Sequence, residues 1–262
     1  MMAEPSEADV ITVWFSCGAA SAVAAKMAVQ KYDNLCQIEI INNPIAEEDE
    51  DNRRFLKDVQ AWIGKPIKVI GNPTYPDNSA ESVWRDRKAM SFPRGAPCTL
   101  ALKKEVRYAY EVFNKSDWYV FGFTKGEEVR DARRRTENPV LPVLIDAGLS
   151  KDDCFEIVKD AGISLPRTYT EASRFGSGYP NANCIGCVKA TSPTYWNHVR
   201  ETRPEVFDAR AKLSRELGVR LVRVKGKRIF LDELHPDARG RGMRTMNVEC
   251  GILCERQNHD QQ

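Results

Sequence analysis

Cys184 and Cys187, in "NANCIGCVKA", are the residues whose type and spacing most directly imply chemistry. Two thiolates at C-x-x-C spacing reach one metal ion or one iron–sulfur cluster from a single turn. A thioredoxin-type redox pair starts a helix just after an early strand, whereas this pair follows the turn-rich "FGSGYP". Cys98, in "RGAPCTLALKK", precedes a predicted helix whose positive end favours thiolate. Cys250 and Cys254, in "VECGILC", lie near the C-terminus. Three to five thiols are therefore available for a site that needs four, and zinc or an iron–sulfur cluster suits them. The chain has eight cysteines. Cys36 and Cys154 fall on apolar stripes and are expected to be packing, while His198, His235 and His259 have no ligand spacing and are expected to be surface or satisfied residues.

A second chemical feature is the stretch "VWFSCGAASAVAAKMA", residues 13–28, where a buried strand breaks into small residues and resumes as an alanine-rich helix. Such a turn presents backbone N–H groups at the positive end of a helix dipole, which suits phosphate or sulfate. Gly18 is expected to make the bend, with the hydroxyls of Ser16 and Ser21 as further donors. The segment matches neither the Walker A pattern nor the dinucleotide fingerprint, and small residues there also serve plain steric packing.

The elements that must position these groups alternate. "ITVWF", "QIEIIN" and "PIKVIG" read as buried strands, and helices are predicted over residues 19–32 and through "DEDNRRFLKDVQAWIG", where Phe55, Leu56, Val59 and Trp62 recur at helical spacing before Gly64. "TLALKKEVRYAYEVF" reads as a helix, "DWYVFGF" as a strand stopping at glycine, and "SKDDCFEIVKDAGI" as a short helix capped by Ser150. The fold class is α/β: a parallel, Rossmann-like sheet with helices on both faces, then a loop-rich, cysteine-bearing C-terminal part, with the ligand at the carboxyl ends of the strands. We expect one domain over residues 1–262, with a nucleotide-binding core at 10–135, a cluster-binding and catalytic region at 136–254, and a polar tail at 255–262. The acidic run Glu47 to Asp51 is expected to be a solvated helix start. The five tryptophans, Trp14, Trp62, Trp84, Trp118 and Trp196, are expected in the core or at subunit contacts.

Bulk composition narrows the classes. At 42% hydrophobic and 29% charged the chain is of ordinary globular type. Its apolar runs are too short to cross a bilayer, and "MMAEPSEADV" lacks the regions of a signal peptide, so a cytoplasmic, membrane-free protein is expected. A net charge of +2 does not by itself argue for nucleic-acid binding. The basic clusters at 130–135 and 239–244 read as solvated faces.

Taken together, the segments resemble the sulfonucleotide (PAPS and APS) reductase family of the PP-loop, or adenine nucleotide alpha-hydrolase-like, superfamily, collinearly over roughly residues 10 to 254. "FSCGAASAVAA" is similar to the phosphate-binding loop, "CTLALKKEVR" to the "C-C-x-x-x-K" segment, and "DWYVFGFTKGEEVRDARRR" to the strand and arginine-rich stretch that contacts the sulfonucleotide. "PVLIDAGLSKDDCFEIVKDAGISLP" is similar to the family's "P-L-x-x-W-x-x-x-D-V" helix, "GYPNANCIGCVKA" to its "G-Y-x-S-I-G-C-x-x-C-T" loop, and "ECGIL" to its "E-C-G-L-H" end. The resemblance implies substrate contacts from Ser16, Cys17, Gly18, Ala20, Ser21, Lys103, Gly122, Arg130 and Arg133. It implies a 4Fe–4S cluster held by Cys98, Cys184 and Cys187, with zinc the lesser alternative. The fourth ligand is Cys250, Cys254 or an open iron position, because Pro97 replaces the first of the family's adjacent cysteines. Leu253 and Cys254 replace its terminal histidine.

Under this reading Cys250 attacks the sulfur of bound PAPS or APS, and a thioredoxin-like reductant frees sulfite. "C-T-x-x-L-K" and "G-x-x-x-E-x-x-R" are also similar to a related branch that transfers sulfur to tRNA or DNA with ATP and magnesium. In that branch nucleic acid is a partner; Ala20, where ATP-using relatives carry aspartate, weighs against it. A zinc-bound, silent nucleotide sensor is a third reading, and a homo-oligomer is compatible with each.

Overall fold

The computed structural model describes residues 4–92, 95–135, 139–243 and 246, apart from the side chains of 130 and 133–135. In chain order the elements are β1 (Val10–Phe15), α1 (Ala19–Tyr32), β2 (Gln37–Asn42), α2 (Asp51–Ile63), β3 (Ile67–Val69), α3 (Ala80–Arg87), α4 (Pro97–Thr99), α5 (Glu105–Phe113) and β4 (Trp118–Val120). They continue with α6 (Glu128–Arg135), α7 (Val143–Asp146), α8 (Lys151–Asp160), β5 (Ala172–Ser173), β6 (Gly176–Ser177), α9 (Pro193–Thr202), α10 (Pro204–Glu216), β7 (Val222–Val224) and β8 (Lys227–Ile229). They form two compact units: the chain up to Pro44 with Glu50–Ile70 and Tyr108–Pro166, and Ile45–Asp49 with Gly71–Arg107 and the described chain from Arg167 onward.

The first unit is built on a parallel sheet of order β3-β2-β1-β4. Strand side chains alternate between the two faces. Ile11, Val13 and Phe15 of β1, with Ile38 and Ile40 of β2, enter one apolar cluster with Ala22 and Ala25 of α1, Phe55 and Val59 of α2, and Cys154 and Val158 of α8. On the opposite face Trp14 meets the Tyr110 ring edge-on at 5.9 Å. The sheet is thus helix-covered, as its uninterrupted apolar strands require. Alanines at 22, 24, 25 and 28, all fully buried, give α1 a thin inward side.

The helix ends follow local rules. α2 stops at Gly64, whose φ of +80° is the left-handed cap that glycine takes without strain. Ser150 and Asp153 cap α8 reciprocally. Cys36 and Cys154 pack in the apolar cluster, as expected.

Three expectations are corrected. β4 ends at Val120 instead of running to the glycine, because the chain beyond it turns toward the start of α1. The helix expected through "TLALKKEVRYAYEVF" is interrupted between α4 and α5 by a π-helical stretch, Leu100–Lys104, and a periodicity count does not resolve one extra residue per turn. The acidic run is a solvated helix start only at its end, where exposed Glu50 precedes α2 and Asp51 opens it; the three residues before them are paired. Glu47 accepts from Ser79 Oγ and from the N–H groups of Ala80 and Glu81 at the start of α3. Glu48 lies 3.2 Å from the Lys103 ammonium. Asp49, 2% exposed in its side chain, sits 2.8 Å from both Arg167 and Arg203. These partners are distant in sequence, so the run alone reads as exposed.

The second unit packs α3, α9 and α10 around Trp84, Leu102, Tyr195, Trp196 and Leu213, with the β7–β8 hairpin adding Val222. Trp14, Trp84 and Trp196 are buried, as expected of core tryptophans. Among the described residues no helix is long and apolar enough to cross a membrane.

Candidate functional site

The turn from β1 to α1 lies at the carboxyl end of the parallel strands, where ligands of such sheets bind. The left-handed residue is Cys17, with φ +58°, and not Gly18, which has φ −92° and ψ 152°. A non-glycine residue held there stores about 1–3 kcal/mol of strain. What holds it is Asn42, the last residue of β2. Its amide donates to the Phe15 carbonyl at 2.9 Å and to Cys17 Sγ at 3.4 Å, both in the interior. Sequence reading missed Asn42, although a polar side chain ending the apolar strand "QIEIIN" was a usable signal.

Ser16 and Ser21 brace the turn. The Ser21 hydroxyl donates to the Gly18 carbonyl at 2.9 Å, and Ser21 Oγ accepts the Ser16 N–H at 3.2 Å. The two hydroxyls are 3.1 Å apart, so Ser16, exposed at the surface, is the donor between them. Ser21 is therefore a structural brace, and Ser16 is the hydroxyl open to a ligand.

α1 begins without a side-chain cap and without an acid in its first turn. Its first N–H groups have no acceptor within the helix, and nothing in that turn opposes an anion. Gly122 completes the turn from the side: a Cβ built there would lie 2.6 Å from Ser21 N and 2.9 Å from Ala20 C. Only glycine lets the chain leaving β4 approach the first turn of α1 so closely.

Arg130 and Arg133 are carried on α6; the contacts expected of their side chains lie outside the described residues. Lys103, the remaining expected anion contact, is 6% exposed and ion-paired with Glu48.

The cysteines expected as ligands belong to the second unit. Cys187 is part of its apolar cluster, and Cys98 and Cys184 pack against it half-buried. The C-x-x-C turn is pinned at two backbone donors. Ile185 N–H donates to the Glu47 carbonyl at 3.0 Å, and Cys187 N–H donates to Tyr195 Oη at 2.9 Å. Gly186 takes φ +69° at the apex, where a Cβ would lie 2.9 Å from Val206 Cγ1. Burial raises the Tyr195 hydroxyl well above its ordinary range, so it stays protonated.

Among the described residues no three cysteine, histidine, aspartate or glutamate side chains close on a common point as metal ligands. Cys250 and Cys254 lie outside the described residues, as does His259. His235 is exposed, and His198 is buried with Nδ1 2.7 Å from Ser173 Oγ. Among the described residues His198 Nε2 has no hydrogen-bond partner, so the expectation of a satisfied histidine is met there at one nitrogen only. Burial pushes the His198 pKa down to about 4.

Compared by sequence with protein-family models and with curated proteins, the chain matches none.

Proposed function

We propose that this protein binds the anionic group of an adenine nucleotide at the β1–α1 turn and acts as a sulfonucleotide reductase-like enzyme on PAPS or APS. The observation that carries the reading is the uncapped, acid-free start of a 14-residue helix at the carboxyl end of a parallel sheet, braced by Ser16 and Ser21. Helix N–H groups supply the donors that phosphate or sulfate oxygens need, and the exposed Ser16 hydroxyl joins them by turning its one proton from Ser21 to the anion. The resemblance supplies the rest: a chain collinear with sulfonucleotide reductases, with thiols at the matching positions.

In the reaction so implied, the thiolate of Cys250 attacks the sulfonate sulfur. The sulfur–oxygen bond to the nucleotide phosphate breaks, leaving an enzyme S-sulfonate and adenosine phosphate. A thioredoxin-like dithiol then attacks the cysteine sulfur, displaces sulfite, and is itself oxidised to a disulfide as the Cys250 thiol is regenerated. The dithiol supplies both electrons. No step passes through a cluster.

The test is sulfite release from PAPS or APS by the full chain with reduced thioredoxin, with Ser16→Asp beside it. The reading expects sulfite from the wild-type chain and little from the variant, because a carboxylate at the turn repels the anion. No sulfite, together with pyrophosphate release from ATP in the presence of tRNA or DNA, overturns it in favour of sulfur transfer.

A further inference from the structure

We infer that the second unit carries a separate binding site for a small organic phosphate, in the cleft beside the π-helical stretch Leu100–Lys104. The cleft encloses about 270 Å³, at the small end of ligand pockets and enough for one ring system with one anionic group. Neither the β1–α1 turn nor the thiols named above line it.

Its walls are of two kinds. Arg87, Lys104 and Lys189 bring three cations, against one carboxylate, Glu105, which accepts a hydrogen bond from Asn72 at 3.4 Å. Arg87 is partly offset by Asp86 at 3.4 Å, whereas Lys104 has no ion pair among the described residues. Adjacent lysines diverge on the same stretch: Lys103 turns inward to Glu48, and Lys104 lines the cleft. The other wall is apolar, with Pro97 and two large side chains left 52% exposed, Phe92 and Leu100.

That pairing selects the ligand class. A bare phosphate leaves Phe92 and Leu100 in water, and an uncharged ring leaves the Lys104 ammonium, which has no ion pair among the described residues, unanswered. A flat apolar body bearing a phosphate satisfies both walls. A free mononucleotide and one unit of a single strand share this chemistry, and the experiment separates them.

The test is equilibrium titration of the full chain with adenosine 5′-monophosphate, phenyl phosphate, inorganic phosphate, adenosine and a short oligothymidylate. It is run on wild type, Ser16→Asp, Lys104→Glu and Lys189→Glu, with circular dichroism to verify folding. We expect the two organic phosphates to bind about tenfold or more tightly than inorganic phosphate or adenosine, and this binding to survive Ser16→Asp. Each lysine reversal weakens it about tenfold or more. An oligothymidylate that binds more tightly than the mononucleotide makes the natural ligand a strand; one that binds no better makes it a free nucleotide. Absence of organic-phosphate binding in Ser16→Asp, or affinity within about twofold of wild type in both lysine variants, overturns the site. Failure of the β1–α1 reading alone is distinguishable: Ser16→Asp then changes nothing, while the lysine variants still lose binding.

Discussion

Gly122→Ala tests the geometry of the β1–α1 turn with one methyl group. The added Cβ would stand 2.6 Å from Ser21 N and 2.9 Å from both Ala20 C and Ser21 Cα. All three are backbone atoms of α1, so no side-chain rotation relieves the overlap. Carbon atoms not bonded to each other rest about 3.5–4 Å apart, so the loop or the helix must yield by about 1 Å. Overpacking of this kind costs about 1–3 kcal/mol, and contact with backbone alone places Gly122→Ala in the upper half of that range. Gly126→Ala is the control: its φ of +98° strains a side chain, but no atom lies within 4 Å of the new Cβ. That variant should lose about 1 kcal/mol and leave nucleotide affinity unchanged. Urea unfolding at constant m-value measures both losses, and titration with adenosine 3′,5′-bisphosphate shows whether displacement of the first turn of α1 weakens anion binding. A Gly122→Ala protein within about 0.5 kcal/mol of wild type, binding the bisphosphate equally well, would refute this account of the turn.

Lys103→Met should destabilise the fold by about 3 kcal/mol or more, since it removes the cation paired with the nearly buried Glu48 carboxylate. Pairing it with Glu48→Gln should recover part of that loss, as an unfolding double-mutant cycle will show. Burial pushes the Cys154 thiol up to about 12, so it should resist alkylation at pH 8 in the native protein and react only after unfolding, as mass spectrometry can read. His198 holds its proton less tightly when folded than when unfolded. Its contribution to stability is therefore complete above about pH 6.5 and is lost as pH falls toward about 4, by up to about 1.4 kcal/mol per pH unit. His198→Gln should flatten that part of the stability profile, and an unchanged slope would assign the effect to other groups.

Much of the first unit was legible from local pattern. β1, α1 and β2 each place their apolar residues where a parallel sheet needs them, and Gly64 and Ser150 mark helix ends through chemistry confined to one turn. The acidic run was misread because its partners, Lys103, Arg167, Arg203 and the start of α3, are brought to it only by tertiary structure. The bend at residue 17 was assigned to glycine because glycine is the usual left-handed residue; the buried amide of Asn42, twenty-five positions away, holds a cysteine there instead. The π-helical stretch was invisible, since one widened turn leaves the same apolar residues inward. The C-x-x-C turn was recognisable, but not its anchoring through Glu47 and Tyr195. The cleft beside Lys104 had no sequence signal, because its cations come from three separate segments.

The central claim is met most directly by recording backbone amide resonances of the full chain during titration with adenosine 3′,5′-bisphosphate. An anion seated on the first turn of α1 should produce its largest shifts at the amides of Gly18, Ala19, Ala20 and Ser21, with Ser16→Asp abolishing them. Shifts elsewhere while those four amides stay unmoved at saturating nucleotide would contradict it.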